Sequence, residues 1–157
     1  MSERIAGIVV SSTGLIIVCL DFGDNSVAVA EDVTWNLPID TPLPEAYRTI
    51  YERVLHYIRE LRVDQIVIKG TTTNSQGMKI ANLKAAELRG VVIAAAAQPG
   101  KPIVVTTKAS VSRTFGTRKV DAYLADDDFW AQNLSPIKSL RKASREAALI
   151  VLATRKP

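Results

Sequence analysis

The sequence predicts an α/β domain built on a mixed five-stranded sheet, three antiparallel strands and then parallel ones, with helices on both faces. Three observations predict it. The first 36 residues hold three runs rich in β-branched residues, separated only by short turn signals. The rest of the chain alternates short apolar runs with segments of helical period. A length of 157 residues suits one domain, spanning 1–157, and is enough to bury a core.

The elements follow in order. In "RIAGIVVSSTGLIIVCLDFGDNSVAVAEDVTWNLP", the turn signals Ser11–Gly14 and Phe22–Ser26 separate three strands of an antiparallel meander. Ile50, Val54, Ile58 and Leu61 then recur on one helical face, and Pro42 or Pro44 suits the first turn. "VDQIVIKG" is almost wholly apolar, as expected for a strand covered on both faces. A second long helix is expected from about Met78, its small residues Ala86, Gly90 and Ala97 allowing close approach, with "QPGK" ending it. "PIVVTT" is the fifth strand. "TKASVSRTF" and "TRKVDAYLAD" read as short helices, with Thr107 and Thr117 as N-caps and Gly116 as a stop. "ADDDFWAQNL" reads as an inserted loop. "SPIKSLRKASREAALIVLAT" reads as one final helix, with Ser135 as N-cap and Pro136 at its first position.

Composition excludes several classes. Apolar runs fall short of the ~20 residues that span a bilayer, so no membrane partner is expected. The start "MSERIAGIVV" lacks a signal-peptide pattern. Cys19, the single cysteine, lies in the apolar run "LIIVCL" and reads as a small core residue; a reducing, cytoplasmic setting is expected. One His and one Cys make no zinc cluster, His56 reads as a surface residue, and no Walker-type or dinucleotide glycine pattern occurs. The turn "SSTG" offers N–H groups to an anion, but reads first as a hairpin turn. No cofactor is implied.

Charge is uneven. Residues 1–64 carry 5 Lys and Arg against 10 Asp and Glu, whereas residues 65–119 carry 9 against Glu87 alone. A one-sided positive field suits an anionic polymer.

This order of elements resembles the ribonuclease H-like fold, and its details resemble the RuvC-type resolvase branch. "IAGIVVSSTGLIIVCL" is similar to that branch's first hairpin. "RVDQIVIKG" and "NLKAAELRGVVIAAAAQPGKPIVVTT" are similar to its fourth strand, central helix and fifth strand. "KASVSRTFGTRKVDAYL" resembles its basic helix pair, and "SREAALIVLA" its last helix. The pattern covers most of the chain, and also resembles small stand-alone bacterial RuvC-like domains.

The resemblance implies a divalent-metal site built from an Asp on the first strand, a Glu at the end of the fourth, and acids on the last helix. Hard Mg²⁺ requires such oxygen ligands. This sequence departs at each position. Ile8, Val9 and Val10 stand where the first-strand Asp should fall, near Val9, and Lys69 and Gly70 end the fourth strand. The last helix offers Ser144, Glu146 and Ala147, with one carboxylate among them. A lysine beside a metal position repels the ion, but can bind a phosphate directly. A relocated metal site using Asp121 or Glu146 stays open as an alternative. Glu87 and the run Asp126–Asp128 read as local ion pairs and solvated charges.

The leading expectation is therefore a catalytically inactive RuvC-like domain that binds nucleic acid. Its candidate phosphate contacts are Lys69, Lys79, Lys84, Arg113, Arg118 and Lys119, together with the polar stretch "TTTNSQG". The alternative is a protein-interaction or homodimeric module, motivated by Phe129 and Trp130 in the expected loop and by Trp35. A metal-dependent nuclease with a relocated site is third.

Overall fold

A computed structural model describes residues 2–71 and 79–155. The strands are β1 (Glu3–Val10), β2 (Gly14–Phe22), β3 (Val27–Asn36), β4 (Gln65–Lys69) and β5 (Ile103–Thr106). The helices are α1 (Leu43–Leu61), α2 (Ile80–Ala97), α3 (Lys108–Phe115), α4 (Val120–Leu124), α5 (Asp127–Asn133) and α6 (Arg145–Arg155). A 3-10 turn, Lys142–Ser144, leads into α6.

The sheet order is β3-β2-β1-β4-β5. β1 pairs antiparallel with β2, β2 antiparallel with β3, and β4 runs parallel to both β1 and β5. The expected mixed sheet is thus present, with β1 and β4 at its centre. Alternation along those central strands feeds two cores. Ala6, Ile8, Ile66 and Ile68 point to one face, where they meet α1 and α2 through Ile50, Val54, Leu88 and Val92. Ile5 and Val67 point to the other, where α6 covers them through Ala147, Ala148 and Val151. Cys19 is buried in the first core, and burial pushes its thiol up to about 12, so it is a core residue.

Several local expectations hold for the reasons given. Thr107 caps α3 by accepting from the Ser110 N–H at 3.2 Å. Gly116 ends it at φ 126°, a backbone region that favours glycine. Pro44 stands in the first turn of α1, and Pro42 precedes the helix as its N-cap.

Others are corrected. Thr117 does not cap α4; Lys119 holds that position. "DDDFWAQN" is not a loop but helix α5, capped by Asp126, whose carboxylate accepts from the Phe129 N–H at 3.2 Å. The final helix starts nine residues later than expected, at Arg145 rather than at Pro136 after a Ser135 cap. The intervening segment is spent covering the outer edge of β3. Ser135 N–H donates to Val27 O at 2.7 Å, and Lys138 Nζ to Ala30 O at 3.1 Å. An uncovered ten-residue edge strand would be an aggregation hazard, so edge coverage overrides helix propensity. In α2 the buried small residues are Ala95 and Ala96. Ala97 is exposed, and a Cβ added at Gly90 would meet nothing within 4 Å, so neither brings a neighbour closer.

Candidate functional site

Gly7, Val9, Lys69 and Glu146 come together where β1 and β4 run under α6. The parallel register pairs Ile8 with Ile68, so the next residues, Val9 and Lys69, stand at the carboxyl ends of adjacent strands. Both are on the α6 face, since Val67 and Val9 pack into the core on that side. α6 lies unusually close to β1. A Cβ on Gly7 would collide with the Ala147 carbonyl oxygen and with Val151 Cγ2. That contact fixes the first turn of α6, and with it Glu146, over the strand ends. Glycine inside a strand commonly marks such a backbone approach.

At the centre, Lys69 Nζ forms an ion pair with Glu146 Oε1, each side chain 19% exposed. The flanking positions add no second carboxylate. Val9 opens onto a groove of ≈ 240 Å³ lined by Ser11, Thr13, Ile16, Thr34 and Asn36, which carries hydroxyls and an amide but no charge. Gly70 N–H donates to Thr106 O at 2.7 Å, and a Cβ there would stand 3.0 Å from Val105 Cγ1. Ala147 presents its carbonyl to Gly7. Ser144 is fully buried and donates to Asp32 Oδ1 at 2.5 Å.

A divalent ion does not fit this donor set. One carboxylate is present, and a lysine ammonium already neutralises it. Among the described residues, no three His, Cys, Asp or Glu side chains gather as a metal-ligand set. Asp121 does not join Glu146: its carboxylate is exposed and lies 3.5 Å from Lys108 Nζ.

Lys108, at the start of α3, is a residue that sequence reasoning passed over. It lines a narrow cleft with Lys69, Glu146, Val111, Val120 and Ile150, which puts a second cation beside the strand ends. Its position directly after the Thr107 cap was the available signal.

The other basic candidates spread over two helix groups. Lys79 and Lys84 are exposed at the start of α2, and Arg113 and Lys119 are exposed on α3 and before α4. Arg118 is engaged, donating to Asp126 Oδ2 at 3.0 Å and stacking 4.3 Å above Tyr123. Hydrogen bonding from Arg118 first, and then from the Phe129 N–H, holds the Asp126 carboxyl below its usual range. α2 follows β4 and α3 follows β5, so both basic groups border the carboxyl ends of the parallel strands, where open α/β sheets bind ligands. The polar stretch Thr72–Gly77 lies outside the described residues; of "TTTNSQG", only Thr71 is placed.

Of the aromatic interface candidates, Trp130 and Trp35 are buried and Phe129 is half-buried. Trp130 is 5% exposed and donates its indole N–H to Tyr123 O at 3.0 Å. Phe129 is half-buried and stacks edge-on to Phe115 and Trp130. Trp35 is buried against Tyr57, with Arg53 above its ring. Aspartates at 126 and 127 serve α5: Asp126 caps it, and Asp127 accepts from Arg145 at 2.7 Å.

The same layout occurs in solved structures. Thermus thermophilus RuvC matches with a TM-score of 0.75, covering 96% of this chain and 92% of that one at 18% identity. This chain has the RuvC fold. T. thermophilus RuvC in complex with a Holliday junction substrate matches at a TM-score of 0.71 and 17% identity, covering 96% and 91%. The yeast mitochondrial Holliday junction resolvase matches at 0.59 and 13% identity, covering 96% of this chain and 77% of that one. No protein-family model matches the chain, and no curated protein does. The RuvC-like core therefore comes with a lysine–glutamate pair at its strand ends.

Proposed function

We propose that this domain binds nucleic acid through phosphate contacts at the carboxyl ends of β1 and β4, and does so without metal-dependent cleavage. The observation that carries the reading is the Lys69–Glu146 pair. An ammonium is fixed where a divalent ion would otherwise sit, and it can supply positive charge to a phosphate. Lys108, Lys79, Lys84, Arg113 and Lys119 supply further cations around it, in a segment with a single acid, Glu87. Contacts of this kind are to backbone rather than base edges, so binding is weakly sequence-specific and falls steeply with salt.

Some RuvC-fold neighbours are Holliday junction resolvases, which makes branched DNA the first ligand to try. The test is titration of the protein against a fluorescent four-way DNA junction, single-stranded DNA and single-stranded RNA at low and moderate KCl. The expected result is binding to at least one of them at low salt that weakens steeply on raising it. No binding to any of the three at low salt rejects the proposal.

A further inference from the structure

Three arginines among the described residues are buried or half-buried, Arg145 fully and Arg4 and Arg89 in part. Two of them are neutralised. Arg4 holds Asp21 through two hydrogen bonds of 2.7 and 2.8 Å, and Arg145 holds Asp127 at 2.7 Å. Arg89 has no carboxylate partner among the described residues. Its one hydrogen bond there runs from a terminal nitrogen to Thr71 Oγ1 at 2.8 Å, and its Nε is buried with no acceptor among the described residues. Burial works against its charge, with no carboxylate to offset the effect. Glu87, the nearest acid on the same helix, accepts from the Tyr47 hydroxyl at 3.0 Å instead.

An uncompensated, shielded guanidinium is costly unless something anionic arrives. Its position says where. Arg89 follows Leu88, which is fully buried in the α1–α2 core, and its side chain reaches Thr71, two residues past the end of β4. Lys69 leaves the same strand end on the opposite, α6-facing side.

We infer that Arg89 is a preformed phosphate-binding position, which takes a backbone phosphodiester oxyanion beside Thr71 and holds it by the planar fork that Thr71 orients. This deepens the nucleic-acid reading and rests on it. Lys69 and Arg89 then grip the strand end from both faces, one as a point charge and the other as a directional donor. The lysine candidates at the start of α2 are exposed, whereas Arg89 is half-buried and hydrogen-bonded to Thr71.

The test uses the full chain, wild type beside Arg89→Met, Arg89→Lys and Thr71→Val. Junction and single-strand affinity is measured across a KCl series, and melting temperature is measured with and without inorganic phosphate. The expected result for Arg89→Met is at least about tenfold weaker binding, with the slope of log K against log salt reduced by about 0.9, one phosphate contact. Arg89→Lys recovers the slope but not the full affinity. Wild type is stabilised by phosphate, and Arg89→Met is not. An unchanged salt slope in both variants, even with a lowered melting temperature, overturns the inference and makes Arg89 a structural residue. If Arg89→Met does not fold, Arg89→Lys and the wild-type phosphate shift decide: full affinity in the lysine variant with no phosphate shift in wild type overturns it. Phosphate stabilisation that depends on Arg89, without any nucleic-acid binding, keeps the anion site but removes the nucleic-acid reading.

Discussion

Lys69 at the end of β4 and Glu146 in the first turn of α6 neutralise each other across the junction of strand and helix, and both are largely shielded from solvent. Each restrains the other's chemistry. Glu146 cannot act as a metal ligand while it holds the ammonium, and Lys69 cannot bind a phosphate at full strength while it is held.

Releasing one partner should therefore show in two readouts. Glu146→Gln leaves Lys69 without its counter-charge in a partly buried setting. Stability should fall by about 1–3 kcal/mol, seen in urea unfolding. Nucleic-acid affinity should rise, because the freed ammonium competes for phosphate. A variant that is less stable and binds more weakly would contradict this role for the pair.

Restoring oxygen ligands should change the ion preference. The double variant Val9→Asp with Lys69→Glu sets three carboxylates against the strand ends, counting Glu146. Like charges at that spacing repel, so the variant should be less stable than wild type without divalent ions and should regain stability with Mg²⁺ or Mn²⁺. Wild type should show no comparable shift. Calorimetric melting with and without excess Mn²⁺ checks both.

Asp32 on β3 anchors the segment that leads into α6. Arg141 grips its carboxylate with bonds of 2.6 and 3.0 Å, and Ser144 adds one of 2.5 Å. Burial works to raise its pKa, but the hydrogen bonds from Arg141 and Ser144 outweigh it and hold the group below its ordinary value. A depressed carboxylate pKa contributes stability above the unfolded-state value of about 3.9, and that contribution is lost as pH falls through the folded-state value. Asp32→Asn should thus be less stable than wild type at neutral pH, and the gap should close below about pH 4. Urea midpoints measured from neutral to acidic pH test this; a gap independent of pH would contradict it.

Gly7→Ala should be severely destabilising. The added methyl meets the Ala147 carbonyl and Val151, both on the buried face of α6. Overpacking typically costs about 1–3 kcal/mol and occasionally more, and here backbone must move. Because α6 carries Glu146, the Lys69 pair should be displaced as well. An alanine variant that folds with wild-type stability would show that the helix is free to shift.

Much of the sheet was legible, and the reasons are local. Turn signals at Ser11–Gly14 and Phe22–Ser26 sit between β-branched runs, and "QIVIK" is apolar through its middle because both of its faces are covered. The positions of Val9, Lys69 and Glu146 followed from the resemblance that the element order raised. What failed was decided by distant partners. Ser135–Leu140 has helix-forming residues, but its backbone and Lys138 are used against β3, 108 residues away in the case of Ala30. Trp130 and Phe129 sit among aspartates, which read as solvent exposure; the aspartates cap α5 and pair with Arg145, and the rings turn inward. Arg89 and Lys108 gave no strong signal, since the chemistry of each depends on what is absent or present across the fold.

The most direct measurement is the affinity of wild type and Lys69→Gln for a four-way DNA junction, first in EDTA and then with excess Mg²⁺ at matched ionic strength. Binding by wild type in EDTA is predicted, with Lys69→Gln weaker and its salt slope reduced by less than the about 0.9 of one full phosphate contact, because Glu146 holds the ammonium in wild type. Added Mg²⁺ should yield no cleavage products. Binding that requires Mg²⁺, or junction cleavage by wild type once it is added, would contradict the account.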